Sequence, residues 1–194
     1  MSCWRRRGSG FAGRRKGVRR RARSGGELGT LGGMNLHPLI AEFEFLIGTW
    51  KGPGRGHYPT IDSFRYNETL TFASIPGKPF LRYEQKTAGA ESRPMHTECG
   101  FFRPLGDGRV EFILAQPTGQ TEVLEGRVEA GADGELSIVM DQSTVVNSGT
   151  AKQVDATART WVLDVGRTEL VTEFGMAAVG QPMQQHLVSE LIKQ

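Results

Sequence analysis

Four histidines, His37, His57, His96 and His186, are the side chains of this sequence best suited to acid–base chemistry or to holding a metal. They are scattered along the chain, and no pair of them has the HExxH spacing of a zinc protease. No GxGxxG follows a strand-like segment, and the GxxxxGK[ST] and GxSxG motifs are absent. Nucleotide-binding, zinc-protease and serine-hydrolase functions therefore have no motif to support them.

The four histidines differ in their sequence context. His37 and His57 lie in a helix-initiating segment and in a Gly- and Pro-rich stretch, so we expect capping or solvent-exposed roles for them. His96 in "RPMHTECGFF" and His186 in "QPMQQHLVSELIKQ" lie in the strand-like part of the chain. A lone histidine there is usually a hydrogen-bonded wall residue, but imidazole is also well suited to hold iron or copper in an apolar pocket. Both interpretations stay open.

The segment around His186 fits two patterns. Helical spacing relates Met183, Leu187 and Leu191. Two-residue alternation would instead align His186 with Val188, Glu190 and Ile192. We predict a strand, because a last strand is needed to close the sheet that the preceding segments form.

Alternating polar and apolar residues dominate the chain after Gly48. They occur in "FRYNETLTF", "PFLRYEQKT", "GRVEFILAQP" and "DATARTWVLDV", and turn signals such as "IPGKP", "AGADG" and "DVGR" separate such segments. Regularly spaced strands with short turns predict an up-and-down antiparallel sheet. About ten strands are too many for an open twisted sheet, so we predict an all-β, about ten-stranded antiparallel β-barrel.

One strand shows what alternation means for such a barrel. In "FRYNETLTF" one face carries Phe64, Tyr66, Glu68, Leu70 and Phe72. A mostly apolar stripe of this kind either fills a core or lines a pocket, and both stay open.

Two features precede this strand. In "NLHPLIAEFEFLIG", a possible cap at Asn35 and Pro38 in the first turn predict one short N-terminal helix ending at Gly48. In "GTWKGPGRG", Trp50 lies among glycines, which predicts either a sharp bend of the strand or a close contact.

Charge divides the chain into two parts. Residues 1–33 hold ten of the 24 Lys and Arg residues and one of the 21 Asp and Glu residues, so they carry +9 and residues 34–194 carry −6. We predict a disordered basic tail over 1–33, either dispensable or an over-extended start, and one folded domain over 34–194.

No apolar run is long enough to cross a membrane, and no secretory h-region is present. Cys3 and Cys99 form no CxxC pair, so a reducing cytoplasm is the simplest location.

The residues Gly48-Thr49-Trp50-Lys51-Gly52-Pro53-Gly54 form a complete GxWxGxG motif, and in this the chain resembles the nitrobindins. These are small haem-binding β-barrels with the shape of fatty-acid-binding proteins and lipocalins. Further similar blocks follow in order at 58–61, 77–87, 94–103, 149–154 and 179–187. The similarity covers Met34 to the C-terminus, whereas residues 1–33 have no counterpart.

The resemblance implies a cofactor and roles for four residues. One haem b would be bound without covalent attachment, since CxxCH is absent. His186 would be the axial ligand of the iron, and Thr60 and Lys152 would contact the haem. His96 matches a histidine on the other side of the pocket and is a second candidate catalytic residue. The implied activity is isomerisation of peroxynitrite to nitrate, with nitric oxide as a further ligand, in a monomer or homodimer.

Two other functions remain as alternatives. The barrel pattern also fits a non-catalytic carrier of a fatty acid or another apolar small molecule. Nucleic-acid binding through residues 1–33 is a third hypothesis, although the folded part of the sequence does not favour it.

Overall fold

The computed structural model describes residues 36–131 and 133–194, and within them the chain forms ten β-strands and little helix. One α-helix, α1, spans Pro38–Ala41, and 3-10 turns span Glu44–Leu46 and Ala90–Ser92. The strands are β1 Gly48–Tyr58, β2 Ile61–Ser74, β3 Leu81–Ala88, β4 Pro94–Gly106, β5 Arg109–Ala115, β6 Gln120–Ala130, β7 Leu136–Asn147, β8 Val154–Leu163, β9 Glu169–Ala178 and β10 Gln184–Lys193. The predictions for residues 1–33 and for Asn35 lie outside the described residues.

The strands form a closed antiparallel barrel. Each strand pairs with its neighbours in the chain, and β1 pairs with β10 to complete the ring. In the closing pair, Trp50 lies opposite Lys193 and Gly56 opposite Leu187. The predicted up-and-down barrel is therefore confirmed, and "IPGKP" and "DVGR" fall between β2 and β3 and between β8 and β9, as expected.

One end of the barrel, which we call the closed end, is filled by aromatic rings around Trp161. The centroids of the Phe72, Phe102 and Phe112 rings lie 5.3, 5.7 and 5.0 Å from that of Trp161. All four side chains are buried. Ring pairs in tilted and edge-to-face arrangements contribute about 0.5–1.5 kcal/mol each beyond the area that they bury. The closed end is thus the main hydrophobic core.

The chain before β1 covers this closed end. Phe43 packs edge-on against Phe102 at 5.2 Å, and Leu46 is fully buried. The indole nitrogen of the buried Trp50 donates a hydrogen bond of 2.9 Å to the carbonyl oxygen of Leu46. Trp50 therefore joins the covering segment to the barrel wall.

The short N-terminal helix is confirmed, but it does not run to Gly48. α1 has four residues, His37 is its N-cap, and a separate 3-10 turn follows. The Nδ1 atom of His37 accepts a hydrogen bond of 3.2 Å from the backbone N–H of Leu39, which confirms the expected capping role. The helix ends before Phe43, whose φ of −116° lies outside the helical range and whose side chain is buried.

The glycines of β1 make room for aromatic rings of β2. A Cβ atom at Gly54 would lie 2.3 Å from the ring of Tyr66, and one at Gly56 would lie 2.3 Å from the ring of Phe64. Both distances are far below van der Waals contact. Of the two predicted explanations for the glycine cluster, close contact is the one that applies at these positions.

The inward stripe of β2 both fills the core and lines a pocket. Leu70 and Phe72 are buried, and Phe72 belongs to the closed end. Phe64, Tyr66 and Glu68 line a cavity at the other end of the barrel.

In residues 36–131 and 133–194, no helix is long and apolar enough to span a bilayer.

Candidate functional site

A cavity of about 540 Å³ opens at the end of the barrel opposite α1, and we call this the open end. Its rim includes residues of the turns that join β1 to β2, β5 to β6 and β7 to β8, and its wall includes inward-facing residues of most strands. A cavity of this size in a closed barrel holds one small ligand.

All four site residues predicted from the sequence line this cavity. Thr60 lies exposed in the turn between β1 and β2, and Lys152 lies exposed in the loop between β7 and β8. His96 on β4 and His186 on β10 are partly buried in the wall. The structure thus brings the four together, while the roles assigned to them stay predictions.

His186 faces the cavity because β10 contains a bulge. The pairing between β9 and β10 shifts register between Gln185 and Leu187, so His186 is the extra residue. Regular alternation would have put His186 on the face of Val188, Glu190 and Ile192, of which Glu190 and Ile192 are exposed to solvent and Val188 is buried. The predicted strand is right, but the predicted alignment of His186 is wrong, because the bulge turns this one side chain inward.

A hydrogen bond fixes the form of the His186 imidazole. Its Nδ1 atom lies 2.9 Å from the backbone carbonyl oxygen of His57, which can only accept. Nδ1 therefore carries the proton, and Nε2 keeps a lone pair that could bind a metal. Burial lowers the pKa of His186, with the His57 carbonyl opposing that shift, so burial favours the neutral form.

The surroundings of His186 are aromatic. The rings of Tyr58, Phe64 and Phe174 have centroids 5.2, 6.1 and 6.2 Å from the imidazole. The Tyr58 hydroxyl in turn accepts a hydrogen bond from the N–H of Ala178 at 3.0 Å, which holds that ring in place. This wall places three aromatic rings beside one imidazole.

The loop that carries Lys152 is held by backbone contacts. The amide nitrogen of the buried Gln120 donates to the Lys152 carbonyl at 2.8 Å. The N–H of Ser148 donates to the carbonyl of Gly119, also at 2.8 Å. The Lys152 backbone is thereby fixed at the rim, while its side chain stays exposed and free to meet an anionic group of a ligand.

The deep part of the cavity, which we call the polar floor, contains charged side chains. Arg159 on β8 reaches across the barrel to Glu98 on β4, donating two hydrogen bonds of 2.7 and 2.9 Å to its carboxylate. A third contact of 3.5 Å joins Arg159 to Glu122, which also accepts a hydrogen bond from Thr157 at 2.6 Å. All of these residues are buried. One guanidinium thus serves two buried carboxylates.

The electrostatics of the polar floor follow from this pairing. Burial is the largest single influence and raises the pKa of Glu98, but the charge and hydrogen bonds of Arg159, together with the contact to His96, outweigh it and lower this pKa to about 2. Burial is likewise the largest single influence on the pKa of Arg159 and lowers it, but Glu98, Glu122 and Tyr83 together outweigh burial and raise this pKa. Glu98 and Arg159 are therefore both charged at neutral pH.

Glu68, the third carboxylate of the polar floor, has no hydrogen bond to a cation among the described residues. It accepts from the side-chain amide of Gln85 and, at 3.4 Å, from the hydroxyl of Thr172. Burial is the main cause that raises the pKa of Glu68. Hydrogen bonds from Ser189 and Gln85 oppose that shift, so Glu68 differs from Glu98 in the direction of its pKa.

Sequence reasoning missed most of the polar floor. Glu68 was visible as an acid within an inward apolar stripe, but the partners of Glu98 and Arg159 were not, because β4 and β8 lie four strands apart in the ring. Three buried polar atoms, Gln85 Oε1, Gln120 Oε1 and Arg159 Nε, have no hydrogen-bond partner among the described residues. Gln85, Gln120 and Arg159 all line the cavity, and unpaired buried polar atoms of this kind are commonly satisfied by a ligand or by water.

A family model described as "THAP4-like, heme-binding beta-barrel domain" matches residues 39–193. The chain belongs to this family. The resemblance to the nitrobindins and the assignment to the haem-binding barrels are thus confirmed.

Named relatives of this haem-binding barrel agree with the family assignment. A protein of Nocardia farcinica called "Peroxynitrite isomerase" is 46% identical over 157 residues, which cover 80% of this chain and 91% of that protein. "Peroxynitrite isomerase 1" of Mycolicibacterium paratuberculosis is 43% identical over 161 residues, 82% of this chain and 98% of that protein. The crystal structure of Rv2717c from M. tuberculosis superposes with a TM-score of 0.77 at 38% identity, covering 82% of this chain and 99% of the other.

The residues of the open end fit a haem. His186 offers a neutral nitrogen donor, Tyr58, Phe64 and Phe174 offer an aromatic wall, and Lys152 offers a cation at the rim. Imidazole nitrogen is a common protein ligand of haem iron. An ammonium group at the rim suits the carboxylates that haem b carries.

Proposed function

We propose that this protein binds one haem b in the open end of the barrel, through His186, and converts peroxynitrite to nitrate there. The observation that carries the proposal is the bulge that turns His186 into the cavity, together with the hydrogen bond from its Nδ1 atom to the His57 carbonyl. Because the proton is on Nδ1, Nε2 is ready to coordinate iron without a change of tautomer.

Bound haem supplies an iron centre on which a small oxidant such as peroxynitrite can react. Peroxynitrite and nitrate have the same atoms and charge, so the reaction needs no external electrons. The protein groups have three tasks. The bulge and the His57 carbonyl orient His186. The aromatic wall would exclude water from its side of the cavity, and Lys152 and Thr60 would contact the haem from the rim.

The proposal is tested by adding hemin to the purified protein and recording the Soret band. We expect saturation at one hemin per chain, and we expect His186→Ala to weaken hemin binding and to change the band. The matched control is His37→Asn, which removes another imidazole but keeps a capping side chain on α1 at the closed end. An unchanged Soret band and affinity in His186→Ala would refute the assignment of the ligand.

Catalysis is tested separately by stopped-flow decay of peroxynitrite. The hemin-loaded protein should speed the decay and raise the share of nitrate over nitrite among the products, whereas the protein without hemin should not. If the hemin-loaded protein decomposed peroxynitrite no faster than buffer alone does, the isomerase activity would be refuted. The protein would then be a haem carrier. The same open iron site predicts reversible binding of nitric oxide, visible as a shift of the Soret band.

The alternative of a fatty-acid carrier is less well supported by the polar floor. A long apolar chain entering the cavity would cover Glu98, Glu122 and Arg159 without satisfying the free polar atoms of the floor. Native mass spectrometry that found lipid and no haem would favour the carrier.

We place the protein in the cytoplasm, in line with its cysteine pattern.

A further inference from the structure

We infer that Glu98 positions His96 as a proton acceptor on the cavity wall, so that the two residues form a dyad that handles the proton of the substrate. This inference rests on the proposed function and extends it to residues of the polar floor. Its basis is the arrangement of His96, Glu98 and Arg159.

His96 lies across the cavity from the iron ligand. In the ring of ten strands, β4 is four steps from β10 in one direction and six in the other, so His96 and His186 lie on nearly opposite walls. Both side chains line the same cavity. A ligand bound between them would have His186 on one side and His96 on the other.

Glu98 determines which nitrogen of His96 carries the proton. His96 Nε2 is 3.9 Å from Glu98 Oε2, while the His96 side chain is 32% exposed and that of Glu98 2%. A charged carboxylate can only accept, so the nearby nitrogen is favoured as N–H and Nδ1 keeps the lone pair. The distance is that of an ion pair, and such contacts commonly tighten when a ligand fills the site. His96 therefore has the tautomer opposite to that of His186.

Arg159 makes this arrangement rigid. Its two hydrogen bonds hold both oxygens of the Glu98 carboxylate, and the Tyr83 hydroxyl donates a further one of 3.1 Å to Oε1. The charged and titratable groups that face Glu98 are Arg159 from β8 and Glu122 from β6, together with Tyr83 from β3 and Glu68 from β2. Only Arg159 among these four is a cation, and with the contact to His96 it holds the pKa of Glu98 at about 2, so Glu98 is ionised and fixed in place.

The proton step is balanced. Peroxynitrous acid gives its O–H proton to Nδ1 of His96, and the O–H bond breaks as the N–H bond forms. The peroxynitrite anion rearranges to nitrate, and the imidazolium returns its proton to solvent as nitrate leaves. The net change is peroxynitrous acid to nitrate and a proton. His96 would thus let the enzyme use the acid form as well as the anion.

The first test needs neither haem nor activity. In protein labelled with ¹⁵N-histidine, at an alkaline pH where imidazoles are neutral, long-range ¹H–¹⁵N spectra distinguish the two tautomers, and His96→Gln assigns the signal. We expect Nε2–H for His96 in the wild type and loss of that preference in Glu98→Gln. The matched control is Glu122→Gln, which removes the other carboxylate bound to Arg159 and should leave the tautomer unchanged.

Glu98→Gln should fold, because Arg159 keeps Glu122 as a charged partner. If it does not fold, Glu98→Asp, which keeps the charge, should retain the Nε2–H preference. An Nδ1–H tautomer for His96 in the wild type would overturn the inference without any variant. The same tautomer in wild type and Glu98→Gln would also overturn it.

The second test uses the hemin-loaded protein. His96→Gln and Glu98→Gln should each lower kcat/KM for peroxynitrite about 100-fold, the usual size of an acid–base contribution. The double variant should lose no more than His96→Gln alone. The Soret band should be unchanged in all three. Full activity in Glu98→Gln would overturn the proton role.

The two proposals can fail separately. If the wild type binds hemin but does not speed peroxynitrite decay, the proposed function fails, whatever the tautomer of His96. If the wild type is active and Glu98→Gln keeps both tautomer and activity, the dyad fails and the isomerase stands.

Discussion

The closed and open ends of this barrel use the same strands for opposite purposes. On β8, the inward residues Arg159 and Trp161 are two positions apart, yet one belongs to the polar floor and the other to the aromatic core. On β4, Glu98 and Phe102 are four positions apart and show the same change. The comparison teaches that the residues that stabilise the fold and the residues that form the site are separated along the barrel axis. The change from one to the other takes about 7–13 Å along a strand.

The largest expected effect comes from breaking the closed end. Phe102→Ala removes a fully buried ring that contacts Phe43, Phe112 and Trp161. We expect the free energy of unfolding to fall by about 3–5 kcal/mol. Urea denaturation measures it, and Phe101→Ala on the outer face is the control. A loss below about 1 kcal/mol would show that the closed end is not the main source of stability.

A slightly smaller effect is expected from breaking the pairing in the polar floor. Arg159→Met leaves Glu98 and Glu122 buried without their cation, which should cost about 3 kcal/mol at pH 7. The effect should depend on pH, unlike that of Phe102→Ala.

The sign of this pH dependence follows from the pKa of Glu98. In the wild type that pKa is lowered to about 2, so its stabilising contribution is complete above the ordinary carboxyl range and is lost as the pH falls toward 2. In Arg159→Met the buried carboxylates should instead prefer their protonated form, so acid should recover stability. Urea curves at pH 7 and pH 4 measure the difference, and an equal loss at both would contradict the ion-pair account.

For Glu68, the carboxylate that has no cation partner among the described residues, we expect a pH dependence of stability opposite in sign to that of Glu98. Because burial raises the pKa of Glu68, the folded state binds this proton more tightly than the unfolded state, and wild-type stability should decline as the pH rises from the ordinary carboxyl range through this raised value. Glu68→Gln removes that decline, so at pH 7 we expect stability to be unchanged or higher by about 1 kcal/mol. A marked loss of stability at pH 7 would mean that Glu68 is ionised.

The smallest effect is expected at the rim of the open end. Lys152 is exposed, so Lys152→Ala should weaken hemin binding by only about 0.2–1 kcal/mol, and added salt should reduce this difference. Hemin titration at low and high salt measures it, with Lys78→Ala on the turn between β2 and β3 as the control. The free energy of unfolding of Lys152→Ala should equal that of the wild type, which would show that this rim residue does not contribute to the stability of the barrel.

The sequence predicted the barrel well because alternation and turns are local signals. The stripe from Phe64 to Phe72 does face inward, and "DVGR" does form a turn. The inward position of His186 could not be derived from alternation, because a bulge depends on how two strands pair. The pairing of Arg159 with Glu98 was hidden for a similar reason, since it joins strands that are distant in the ring. Only the resemblance to a family pointed to the four cavity residues together.

The bulge at His186 bears on how such a site could evolve or be engineered. In a regular β10, replacing a residue at this position with histidine would place the imidazole in solvent. Turning it inward requires a codon insertion or deletion as well as a substitution. Conversion of a carrier barrel into a haem protein by this route would therefore need an insertion or deletion of one codon. A library that contains only point substitutions would not include such a change.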